Sequence, residues 1–104
     1  MLSQHYATEL PLRMNASKLK PGEALIAFGK VSTRDTGMVY NLSESEDLGE
    51  AAANLFRMMR LADQPPNKGI AVTPIPNHGL GRAINDRLKR ASHKRPLAPD
   101  PTIG

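Results

Sequence analysis

The sequence predicts an α/β layered domain, a mostly parallel sheet of about four strands with two main helices. Three observations predict it. One amphipathic helical stripe dominates the middle of the chain. A continuous apolar run, residues 24–28 (ALIAF), has the length and composition of a strand buried on both faces. The second half then alternates strand, helix, strand, helix, the order that parallel strands joined by a crossover require.

Taken in order, residues 1–9 form a polar lead without periodicity, in which His5 and Tyr6 stand side by side. Residues 10–14 (LPLRM) alternate in polarity and read as a first strand. The Pro21-Gly22 pair marks a turn that closes a solvated loop. The buried strand 24–28 follows and stops at Gly29, residues 30–37 make a second polar loop, and Met38, Val39 and Tyr40 lead as a third strand into the first helix.

That helix is the best-specified element. Ser43, Ser45 and Asp47 offer side-chain oxygens to the free amides of a first turn. Glu46, Asp47 and Glu50 set negative charge at the positive end of its dipole. Leu48, Ala51, Ala52, Leu55, Met58, Met59 and Ala62 recur at spacings of three and four. Gln64-Pro65-Pro66 ends the run. Residues 70–74 (IAVTP) read as a fourth strand, and a proline-rich loop delivers a second helix with Leu80, Ala83, Ile84, Leu88 and Ala91 on its apolar side. The domain is placed at 10–93, after a lead of nine residues. The proline-rich tail 94–104 has too few apolar groups to dock and is expected to be disordered.

Composition limits the chemistry. With 104 residues the chain holds one modest core. It has no cysteine, so no disulfide, thiolate nucleophile or cysteine-ligated metal. No apolar run approaches the roughly 20 residues of a membrane span. The first residues lack a secretory signal pattern, so a cytoplasmic protein is expected. His5, His78 and His93 have no partners at metal-ligand spacing. No catalytic triad can be assembled from the spacing, and Gly79-Leu80-Gly81 lacks the remainder of a phosphate loop. No catalytic residue, metal or cofactor is therefore assigned.

Two binding features remain. The second helix starts among Asn77, Gly79, Gly81 and Arg82, a candidate anion site at a helix N-terminus. The alternative is that Asn77 caps the helix and the glycines permit the turn. The same helix carries Arg87, Lys89 and Arg90, candidates for RNA phosphates. The alternative there is a solvated face with positive charge near a helix C-terminus, and no aromatic residue is interleaved to stack on bases.

The residues also carry a resemblance. Asn41-Leu42-Ser43, Asp47-Leu48, Glu50-Ala51-Ala52, Asn54-Leu55-Phe56 and Arg60-Leu61-Ala62-Asp63 resemble the C-terminal domain of threonylcarbamoyl-AMP synthases. The similarity continues through Pro74, Pro76, Gly79-Leu80-Gly81, Ala83-Ile84, Asp86-Arg87-Leu88 and Arg90-Ala91, and His5-Tyr6-Ala7 is similar to the end of the segment that joins the two domains of those enzymes. Thr8 takes the place of the family's usual proline, and the stretch between the first two strands is too short for the helix many members carry there. The resemblance implies a small Rossmann-like unit. It implies an accessory, non-catalytic role beside a YrdC-like catalytic domain that makes threonylcarbamoyl-AMP from threonine, bicarbonate and ATP, a step toward threonylcarbamoyladenosine in tRNA. His5 and Tyr6 become candidates for closing the catalytic cleft. The implied partner is that YrdC-like domain, in cis or in trans. The alternative is an independent basic module for which tRNA is the partner. The chain is read as a monomer with no membrane partner.

Overall fold

The computed structural model describes residues 8–31 and 38–93. His5 and Tyr6, most of the second polar loop and the tail from residue 94 lie outside the described residues. Six elements form in order: β1 (Leu12–Arg13), β2 (Glu23–Phe28), β3 (Val39–Ser43), α1 (Leu48–Ala62), β4 (Gly69–Val72) and α2 (Leu80–Ser92). The four strands make one sheet in the order β1-β4-β2-β3, every neighbouring pair parallel. This is the α/β layered fold expected. β3 and β4 are joined through α1 yet are not neighbours, because β2 lies between them.

Side chains alternate across a strand, so each sheet face can be read from the sequence once the strands are set. Leu12, Ala24, Ile26, Leu42, Ile70 and Val72 point to one face, where they pack with both helices. Leu25, Ala27 and Ala71 point to the other, where Ala16, Leu19 and Val31 cover them. The second face is lined mostly by small residues, which lets irregular chain lie close to it. Among the described residues only the first face carries a helical layer. The central strand β2 is thus buried on both sides as expected, with a loop as its second cover.

α1 buries Ala51, Leu55, Met59 and Ala62 and is capped by Asp47, whose Oδ1 accepts the amides of Gly49 and Glu50 at 2.8 and 3.2 Å. Asn54 fixes it to the sheet by donating its amide to the Leu42 carbonyl at 2.9 Å. Asn41, Leu42 and Ser43, which read as the lead into this helix, belong instead to β3. They accept strand geometry because Leu42 fills the core and Ser43 passes its carbonyl to the Gly29 amide at 2.7 Å.

α2 buries Gly81, Ile84, Leu88 and Ala91. Leu80, half exposed, and Ala83, also exposed, stand outside this stripe. The expected stripe thus holds at Ile84, Leu88 and Ala91 and fails in the first turn, where the residue in contact is a glycine. Gly81 packs so tightly against the Pro76 carbonyl that a Cβ there would clash with backbone.

Leu55 sits 5% exposed between the helix layer and the sheet. Leu55→Ala is expected to cost about 2 to 5 kcal/mol, the range for a buried leucine whose site collapses only in part. The midpoint of thermal unfolding should fall visibly, and an unchanged midpoint would contradict the packing.

Candidate functional site

Ligands of open parallel sheets bind beyond the carboxyl ends of the strands. Here the β2–β3 part of that edge is knit together by the chain's own side chains, beside a hollow of about 500 Å³ lined by Lys30, Val31, Val39, Asn41 and Glu44. Asn41 donates its side-chain amide to the Gly29 carbonyl at 2.9 Å and accepts the Ser43 amide at 2.8 Å. The Ser43 hydroxyl donates to Glu50 at 2.6 Å and accepts the Asp47 amide at 2.9 Å. Glu46, held at φ 63°, lays its side chain against Gly29, where a Cβ would come within 2.9 Å of its Oε2. The carboxylates of this corner organise the turn into α1.

The other end of the sheet is open. A groove of about 1020 Å³ runs between β1 and α2. Arg13 borders it from β1, Asn77 from the connecting loop, and Arg82, Asn85, Asp86 and Lys89 from α2. Residues 82, 85, 86 and 89 share one flank of the helix because they fall at i, i+3, i+4 and i+7. The anion candidates Asn77 and Arg82 and the phosphate candidate Lys89 therefore meet in one place. Gly79 is the residue at the cap of α2, with φ 55° and no side-chain cap, and Gly81 is buried below it. Asn77 does not cap the helix. Its Oδ1 lies 3.5 Å from the Asn85 amide, which donates to the Ile75 carbonyl at 2.9 Å.

Arg87 and Arg90 do not join this groove. The Arg87 guanidinium lies 4.6 Å from the centre of the Phe56 ring of α1, a cation–π contact. Arg90 pairs with Asp86 at 3.2 Å. By contrast, the Arg82 guanidinium and the Lys89 ammonium have no hydrogen-bond or ion-pair partner among the described residues. Among the same residues no group of three His, Asp or Glu could hold a metal ion.

Two further residues emerge from the geometry. Arg13 donates from Nε and Nη2 to both oxygens of Glu23 at 2.8 Å and from Nη2 to the Lys18 carbonyl at 2.6 Å. The hydrogen bonds from Arg13 hold the Glu23 carboxyl below the usual carboxylate range, against the opposing effect of burial. At the far end of α1, the Asp63 carboxylate accepts the amides of Glu9 and Leu10, each at 2.9 Å. Thr8, 6% exposed, donates its hydroxyl to the Leu10 carbonyl at 2.6 Å. The end of the N-terminal lead is thus bound to the domain.

A family model described as threonylcarbamoyl-AMP synthase, C-terminal domain, matches residues 1–93. The chain belongs to this family. No curated protein and no solved structure matches it. The family acts in the biosynthesis of threonylcarbamoyladenosine in tRNA. The match spans the lead, the sheet and both helices of this threonylcarbamoyl-AMP synthase C-terminal domain, and stops where the tail begins. No helix among its described residues is long and apolar enough to cross a membrane.

Arg13, Asn85 and Asp63 were not singled out from the sequence as site residues. Arg13 had a signal, an isolated cation in an apolar alternation. Asp63 appeared only as the end of a helical run, and Asn85 as one polar residue among many.

The Arg13–Glu23 pair gives a pH prediction. A carboxyl whose folded pKa is depressed stabilises fully above its ordinary value, about pH 4.3, and loses that contribution as pH falls through the folded value. The melting advantage of the native chain over Glu23→Gln should be flat from about pH 8 to about pH 5 and shrink below that. An advantage that grew on acidification would contradict the pair.

Proposed function

We propose that this chain is the accessory, non-catalytic domain of a threonylcarbamoyl-AMP synthase, and that it works by anchoring the segment that joins it to a YrdC-like catalytic domain. The observation that carries this reading is the Asp63 clamp. A segment arriving from a catalytic domain reaches Thr8 and is held there by a buried hydroxyl and two carboxylate-bound amides. Tyr6 stands two residues before that anchor and His5 three. At no more than about 3.6 Å per residue, neither can range more than about 11 Å from it. A short tether on a fixed root raises the local concentration of whatever the tether carries. In this reading His5 and Tyr6 close the catalytic cleft, and the α/β domain supplies the fixed point. The chemistry lies in the YrdC-like domain, in cis or in trans. This chain has no phosphate-binding loop, and the carboxylates Asp47 and Glu50 at the sheet edge are engaged in shaping a helix start.

Pyrophosphate release from ATP that requires both threonine and bicarbonate tests the proposal. The chain alone is expected to give none, and addition or fusion of a YrdC-like domain is expected to give it. Asp63→Ala in the combined system should slow release by up to about tenfold, equivalent to about 1.4 kcal/mol in the barrier. Release by the chain alone would overturn the non-catalytic assignment. An unchanged rate with Asp63→Ala would overturn the anchoring role.

A further inference from the structure

We propose that the groove between β1 and α2 binds the sugar–phosphate backbone of RNA, with Arg82 and Lys89 as its two phosphate contacts. Both are exposed and neither has a partner among the described residues. They are seven residues apart on one helix, so they lie two turns and about 10 Å apart along its axis. Asp86, the acid between them, is engaged by Arg90 and does not cancel them. Asn77 adds a side-chain NH2 suited to phosphate and ribose oxygens, while the Asn85 amide is taken by the Ile75 carbonyl.

The groove's chemistry also limits the mode of binding. No Phe, Tyr or Trp lines it and His93 is the one aromatic ring among the lining residues, so recognition falls mainly on the backbone. Its two uncompensated cations stand two helical turns apart, so each can take a separate phosphate of one strand. The inference does not rest on the accessory role, and it can fail while that role stands.

Fluorescence anisotropy of a labelled RNA hairpin, titrated with the chain at several salt concentrations, tests it. The native chain should bind at about 50 mM salt and weaken steeply as salt rises. The double variant Arg82→Gln/Lys89→Gln should bind at least about tenfold more weakly and lower the salt slope by about 1.4 to 1.8, at 0.7 to 0.9 per lost phosphate contact. Lys89→Gln alone should account for about half of that change in slope, and thermal melting should show both variants folded. Arg57→Gln removes a cation from the solvent side of α1 and should leave the slope nearly unchanged. Equal weakening by Arg57→Gln would show diffuse charge and overturn the proposal. So would a native chain that does not bind. Displacement of the RNA by inorganic phosphate at matched ionic strength would instead reveal a small-anion site, and equal competition by polyglutamate an acidic protein surface. Either would overturn it.

Discussion

The carboxylate of Asp63 holds together two parts of the chain that have little else to bind them. β1 has two residues and pairs only with β4, and so short an edge strand is marginal by itself. Asp63 accepts the amides of Glu9 and Leu10 just before that strand and adds a charged link to the end of α1. Ile70 then donates its amide to the Pro11 carbonyl at 2.8 Å and continues the seam into β4. Hydrogen bonds to a charged group contribute about 1.5 to 3 kcal/mol each, with partial exposure placing these toward the low end. An acid at a helix C-terminus opposes the helix dipole. Its two amide bonds offset that cost, and the N-terminal lead acquires a fixed root.

The rest of the architecture follows from which sheet face received large side chains. Ile26, Leu42, Ile70 and Val72 need a deep partner layer, and α1 and α2 supply it side by side. The smaller residues of the second face accept a loop. With both helices on one face, the flank of α2 away from α1 overhangs β1, the sheet's short edge, and leaves the groove there. Gly81 sets how closely α2 approaches, because its missing side chain is the space the Pro76 carbonyl uses. The functional geometry thus depends on a glycine at the helix start and a carboxylate at the end of the preceding helix.

Much of this was legible in the residues. The stripe of α1 and the apolar run of β2 were unambiguous because period, caps and length agreed. Asn41-Leu42-Ser43 misled in part: the Ser43 hydroxyl does serve the start of α1, but the Asn41 side chain and the Ser43 carbonyl bond Gly29 across the sheet. The first turn of α2 was misread for a specific reason. Hydrophobicity marks Leu80 and Ala83 but gives no weight to Gly81, so the expected stripe fails at those two residues and holds at Ile84, Leu88 and Ala91. Asp63 was illegible as a clamp because its partners are 53 and 54 positions away, and no local pattern encodes such a contact.

Amide hydrogen exchange at Glu9 and Leu10, compared between the native chain and Asp63→Ala, tests the central claim most directly. The clamp predicts slow exchange at both amides in the native chain, within the range of a cooperatively held segment. In the variant both should exchange fast, while the Thr73 amide, bonded to the Ile26 carbonyl inside the sheet, stays protected. Fast exchange at Glu9 and Leu10 in the native chain, or equal protection in the variant, would contradict the account.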